Sequence, residues 1–377
     1  MNRDTAVAEV DVTYELFFCV VLIRQQSRRV SGDVFMNVRI LSFAGALIII
    51  MFSLAGFTGI APGFAWQLAP AGIVTETTSE AQADAPLSNF SWNPHVYSDV
   101  YRIAHGEKTE QAYYELVDAI LTGSERFSCP DAETMYLVFD VARTCFPPVV
   151  RLISGYAYDS GEVMLFYATD ARQREQMLHA FAERISEIVR TAVRDNDSPL
   201  MAAIALYHHY AGLIAYDTAA ADNDVIVDVS CYRALTEFSG ICQSFAGAYA
   251  YLCLQCDIDA VNVSGMNAAF EAHEWTMLTL DGRHYYADPT FENGVGGTGL
   301  RYFGMTAAER ELEGGFVAAD YNIGNSNVIF GRDIDVSDER FAPLRDAVSV
   351  TYMERGNGAL LIHCERLDGS PFLFVAD

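Results

Sequence analysis

The sequence predicts an α+β fold: a helix headed by a cysteine packed on an antiparallel sheet, preceded by a small α+β unit. Three observations predict it. Behind Cys242, the residues Phe245, Ala246, Tyr249, Leu252, Cys253 and Cys256 recur at helical spacing, which gives a helix one apolar face. Asp281-Gly282 stands between two alternating runs, His273 to Leu280 and Arg283 to Thr290, a strong signal for a two-residue hairpin. Upstream, Val163 to Tyr167 reads as a strand between turn residues, and Arg172 to Arg194 then reads as a long amphipathic helix.

The chain begins with a segment that meets the membrane. No charged residue occurs from Ile40 to Thr75, and Ile40 to Ile60 alone is 21 residues, enough for a helix across a hydrocarbon core of roughly 30 Å. Arg24, Arg28, Arg29 and Arg39 precede it and acidic or neutral residues follow, so the positive-inside rule sends the C-terminal bulk outward. Ala61-Pro62-Gly63-Phe64-Ala65 offers small residues one and three positions before a cut after Ala65. Residues 1–65 are therefore expected to be a signal peptide or a membrane anchor, with cleavage preferred. A start at Met36 gives a signal peptide of ordinary proportions and leaves residues 1–35 untranslated. Either way the folded part is expected to be secreted or at the cell surface, its N-terminal segment contacting the membrane during export or as a single transmembrane anchor.

Residues 66–92 are rich in Ala, Thr, Ser, Glu, Asp and Pro without apolar periodicity and read as a linker. An N-terminal α+β unit is expected over 93–200. Tyr101, Ala104, Tyr113, Leu116, Val117 and Ile120 fall at helical spacings, and a second helix covers Ala132 to Arg143. The last domain is expected over 201–377. In it Ala202 to Tyr216 is helical, Ile258 to Val263 is a strand, and the hairpin follows. With a two-residue loop, opposite positions sum to 563, so Trp275 faces Asp288 and His273 faces Thr290. His273 and Asp288 are then diagonal neighbours on one sheet face.

Composition excludes several functions. The formal charge is -26, from 50 acidic against 24 basic residues, and no basic run could track phosphates, so no nucleic-acid partner is expected. No Walker-type or G-x-G-x-x-G motif follows a strand. Cys253-x-x-Cys256 with His273 and His284 lacks the second close pair of a zinc site. Asp333, Asp335, Asp338 and Glu339 lack the central Gly and closing Glu of a calcium loop. No metal and no cofactor is expected. His208 and His209, adjacent on a helix, point apart, one to the core and one to the surface, and His284 near the turn is expected to be exposed. Of the eight cysteines, the seven after Cys19 are an odd number. Outside the cell that leaves room for three disulfides and one reactive thiol.

The chemistry centres on Cys242. A thiol attacks a carbonyl usefully as thiolate, and the unpaired N–H groups of a first helical turn favour negative charge there. An imidazole serving as base needs its other nitrogen held, usually by a carboxylate. His273 and Asp288 are placed for that. The N–H groups at the helix start could also stabilise an oxyanion.

The segment Tyr232 to Ala246, with Ser239-Gly240-Ile241-Cys242-Gln243-Ser244, resembles the cysteine-helix motif of bacterial transglutaminase-like proteins. Ala272-His273-Glu274-Trp275-Thr276 and Tyr285-Tyr286-Ala287-Asp288-Pro289-Thr290 resemble the His and Asp strands of the same family. Tyr207-His208-His209-Tyr210, Tyr216-Asp217 and Tyr302-Phe303 resemble the flanking segments. Two departures stand out: Ser244 and Ala272 occupy positions where many relatives carry Gly. The resemblance implies a papain-like transglutaminase core with Cys242 as nucleophile, His273 as base and Asp288 as orienting acid. Gln243 and Trp275 are expected to contact the substrate.

The expected activity is thiol-dependent acyl transfer on protein or peptide amides. Hydrolysis, as in a protease or amidase, is preferred over transfer to an amine, which would cross-link. The alternative is a cell-surface binding module with a vestigial triad.

Overall fold

The computed structural model describes residues 6–9, 87–222, 228–317, 320–324 and 329–377. The chain divides into two compact units, residues 1–10 with 84–377, and residues 11–83. The second unit, which holds the expected membrane segment and cleavage site, lies outside the described residues. Among the described residues no helix is long and apolar enough to cross a membrane.

The centre of the first unit is a five-stranded antiparallel sheet. Its order is Ile329–Phe330, Asn322–Ile323, Ala260–Met266, Ala272–Leu280, Arg283–Ala287. The helix Cys242–Leu254 packs across the two central strands. Every residue from Ser244 to Leu254 is buried because sheet and helices enclose this helix on all sides. The Thr276 hydroxyl donates to the Ala246 carbonyl at 2.9 Å and ties helix to strand. Beside it runs the helix Pro199–Leu213, started by a Ser198 cap with proline at its head and apolar almost all round. It stops at Leu213, three residues short of the expected end. Ala215–Tyr216 instead pairs in parallel with Ser239–Gly240, the two residues just before Ile241 and Cys242.

The hairpin forms as its sequence dictates. Asp281 and Gly282 both have positive φ, 52° and 73°, and Leu280 pairs with Arg283. The second strand, however, ends at Ala287, so the pair His273 with Thr290 does not form. Pro289 has no N–H for the ladder and opens a short helix, Pro289–Gly294, with Asp288 as its N-cap.

The N-terminal part packs on this core. A sheet with the order Ala6–Glu9, Ile153–Asp159, Glu162–Tyr167, Arg126–Ser128 is antiparallel throughout. The helices Glu107–Thr122 and Ala132–Cys145 pack against each other, and Ala132–Cys145 reaches the cysteine helix. The helix Ala171–Ala192, capped by Asp170, buries Phe181, Ile185, Ile188, Val189 and Ala192 on one face. Residues 87–92, the end of the segment read as a linker, are pinned down. Trp92 Nε1 donates to the Tyr251 hydroxyl at 2.6 Å, and Ser88 bonds Asp195 through both its N–H and its hydroxyl. A C-terminal three-stranded meander, Ser349–Gly356, Ala359–Glu365 and Pro371–Ala376, completes the unit.

The seven cysteines in the described residues are all free thiols. Burial pushes the Cys253 thiol well up and that of Cys256 to about 12, so both stay neutral. His208 and His209 are both half-buried, and the His208 ring lies 3.3 Å from the Thr298 carbonyl. His284 is half-buried as well, held near the Thr279 hydroxyl at 3.2 Å.

Candidate active site

Cys242 is the first residue of its helix and is half-buried. Its N-cap residue, Ile241, offers no side-chain acceptor to this helix start. The first-turn N–H groups are thereby left beside the sulfur, where an anion is favoured. Ser244 holds the turn from within: its Oγ accepts from the Ile241 N–H at 3.2 Å and donates to the Val229 carbonyl at 2.6 Å. The hydroxyl fills space that is tight against Gly240, where an added Cβ would come 2.4 Å from Ser244 Cβ.

His273, the second residue of its strand, is 9% exposed and Asp288 is fully buried. The imidazole Nε2 lies 2.7 Å from Asp288 Oδ2. The Cys242 side chain also acts on the ring and favours its charged form. Burial disfavours the charged imidazole, but Asp288 and Cys242 outweigh it and raise His273 to about 9. Burial likewise works against the Asp288 anion. The neighbouring His273 and Arg310 and the N–H bonds nevertheless hold its carboxyl below the usual range. Those bonds come from Thr290 and Phe291, at 3.1 and 3.0 Å to Oδ1.

Trp275 is fully buried, its ring 6.0 Å from the imidazole and 4.7 Å from Tyr321. The ring packs beside the histidine, sealed from solvent. Gln243 is half-buried next to Cys242.

Two buried charged residues near Asp288 escaped the sequence reading. Arg310 is fully buried, its Nη2 3.2 Å from Asp288 Oδ2. Its guanidinium lies over Trp275, Phe291 and Phe316 at 4.7, 4.5 and 4.7 Å. The available signal was the capping box Thr306-Ala307-Ala308-Glu309, which marks the start of the helix Ala307–Leu312. Glu292 is the other. Desolvation pushes it up to about 7. Its Oε2 takes the Tyr302 N–H at 2.9 Å and lies 3.3 Å from the Tyr207 hydroxyl. That hydroxyl also donates to the Asp288 carbonyl at 2.9 Å. Its one proton is shared between these two acceptors.

A thiol at a helix start, an imidazole beside it and a buried carboxylate behind the imidazole can perform nucleophilic acyl chemistry. Residues 186–289 match the model of the transglutaminase-like superfamily. That match covers a transglutaminase-like region of 104 of the 377 residues. No curated protein matches it.

Among the solved structures that the chain matches are three. A "Putative Cysteine Protease from Cytophaga hutchinsonii" is 15% identical, with 39% of this chain and 43% of that one covered and a TM-score of 0.26. A TGase crystal structure is 13% identical over 44% and 51%, with a TM-score of 0.27. The periplasmic domain of TgpA from Pseudomonas aeruginosa is 18% identical over 41% and 57%, with a TM-score of 0.23. The chain spans about half the length of these structures.

Proposed function

We propose that this chain is an exported thiol enzyme that opens protein or peptide amides through an acyl-thioester, with Cys242 as nucleophile, His273 as base and acid, and Asp288 as the group that orients it. The observation that carries this reading is the imidazole held 2.7 Å from the buried Asp288, with the Cys242 side chain acting on it from the helix start. The sulfur attacks the carbonyl carbon, and the oxyanion forms beside the uncapped N–H groups of the helix start. His273 gives its proton to the departing amine as the C–N bond breaks, leaving a thioester. Water then attacks the thioester while His273 takes its proton, and the carboxylic acid leaves as the sulfur is regained.

An amine can replace water in the second half, which would make the enzyme a cross-linker. We favour water, because it is always present, whereas amine transfer requires an acyl-enzyme kept dry. Export rests on the apolar segment and the small residues that end at Ala65. Gln243 stays in the reading as a substrate contact.

The test incubates the purified protein with a glutamine-containing protein and a fluorescent primary amine, and repeats this with Cys242→Ala. Release of ammonia or peptide fragments that depends on Cys242 supports the hydrolase. Cysteine-dependent amine incorporation without cleavage overturns the preference for water. No cysteine-dependent product of either kind, over a range of protein substrates, would sink the enzymatic reading.

A further inference from the structure

Asp288 is bonded on every side. Its Oδ1 takes two backbone N–H groups, from Thr290 and Phe291, and its Oδ2 faces both His273 Nε2 and Arg310 Nη2. A carboxylate so surrounded has no free site for a proton and cannot turn without breaking several contacts. Arg310 is less well served. Its Nη1 donates to the Glu313 carbonyl at 2.8 Å, while Nε and Nη2 have no aligned hydrogen bond. Nη2 meets Asp288 as a charge at 3.2 Å and not as an aligned donor. A cation sealed from water with most donors idle is a poor strut, because its desolvation is offset mainly by one carboxylate and three aromatic faces.

Those three rings are also the ones around the histidine. Phe291, Phe316 and Trp275 stand 4.7, 5.7 and 6.0 Å from the imidazole. Arg310 and His273 therefore share one carboxylate oxygen and one aromatic enclosure. With Cys242 as thiolate and His273 as imidazolium, the four charged groups sum to zero only because Arg310 is present. The other titratable groups near this cluster are Glu292 and Tyr207 next to Asp288, with Tyr302 and Arg345 beyond them, and Tyr321 and Glu311 beside Arg310. Arg345 pairs with Glu309, and Arg301 with Glu313.

We propose that Arg310 is a positioning residue of this site: its buried guanidinium keeps Asp288 ionised and aimed, and limits how tightly the pair holds the His273 proton. This rests on the thiol-enzyme reading above. An imidazolium that faced Asp288 alone would be over-stabilised and would release its proton to the leaving amine less readily. Arg310 draws off part of the carboxylate's charge and returns the imidazole to a useful range.

The test labels Cys242 with iodoacetate across the acidic to alkaline range and quantifies the Cys242 peptide by mass spectrometry. Iodoacetate is an anion drawn to the imidazolium, so labelling falls on the alkaline side as His273 loses its proton. In Arg310→Met and Arg310→Gln the alkaline limb should move up by about one pH unit, the effect of removing a nearby like charge from an imidazolium. Arg310→Lys, which keeps the charge, should leave the limb where the native protein has it. Folded neutral variants with an unmoved limb overturn the proposal. So does failure of both neutral variants to fold, which would make Arg310 a strut. His273→Ala separates the two readings. If the native bell shape survives that change, the thiol-enzyme reading itself fails. If it is lost while the Arg310 variants leave the limb in place, only the role of Arg310 fails.

Discussion

The two sides of the site are built differently. The side of His273 and Asp288 is sealed: Asp288 and Arg310 are fully buried, and four groups bond the carboxylate. The side of Cys242 is half open, its helix start uncapped and held by Ser244 from within. The reacting atom needs access and unpaired N–H groups, whereas the orienting carboxylate needs a dry surround that no proton can enter. A single chain meets both demands by placing the cysteine at the beginning of a buried helix and the aspartate at a strand-to-helix corner.

The largest expected effect separates the two sides through stability. Asp288→Ala leaves the Arg310 charge buried and unpaired, and should cost about 3–5 kcal/mol. Cys242→Ala should change stability by no more than about 0.5 kcal/mol, while abolishing activity. Urea unfolding of both variants at one pH makes the comparison. Equal losses would mean that the sealed and open sides do not differ in the way described.

A smaller effect comes from pH. Glu292 has a folded value of about 7 against 4.5 in the unfolded chain. Its proton therefore adds stability that is fully present below 4.5 and is lost as pH rises through 7. The loss is about 3 kcal/mol, taking about 1.36 kcal/mol per unit. Asp140, which burial pushes up to about 6, adds a decline of the same sign in that window. His273, raised to about 9 from 6.5, adds another between those values. The informative quantity is therefore the difference between variants. Glu292→Gln, which cannot ionise and whose amide oxygen can accept from both Tyr302 and Tyr207 at any pH, should flatten the decline between 4.5 and 7. An unchanged slope would place the proton elsewhere.

Much of this was legible in the sequence. The cysteine helix, the strand before the hairpin and the Asp281-Gly282 turn follow from period and turn chemistry, which are local. The corner at Asp288 was also written locally, as an N-cap aspartate followed by proline, but the alternating run carried the strand reading past it. Arg310 and Glu292 were not legible. Arg310 stands in the sequence among Glu309, Glu311 and Glu313, and only the tertiary fold turns it inward beside Trp275. The full burial of Trp275 was not legible for the same reason, since alternation says which face of a strand a residue takes but not what covers that face. Tyr216 left the helix because Ser239–Gly240, 23 residues on, offered it a strand partner.

The smallest effect concerns Gly240 and Ser244, which meet at the open side. Ser244→Ala leaves the Ile241 N–H and the Val229 carbonyl without this partner and should cost about 1–2 kcal/mol. Gly240→Ala should cost as much or more, because its new Cβ would sit 2.4 Å from Ser244 Cβ, inside contact distance. The two changes are coupled through one small space. Ser244→Gly, which restores the residue many relatives carry, removes the atom that Gly240→Ala strikes, so the double variant should be more stable than the sum of its parts by about 1 kcal/mol. The measurement is a double-mutant cycle by urea unfolding, with iodoacetate labelling of Cys242 as a second readout. Labelling should slow in Ser244→Ala, because a loosened first turn no longer holds its N–H groups beside the sulfur. If the energies add without coupling and labelling stays native, the helix start is held by something other than this pair.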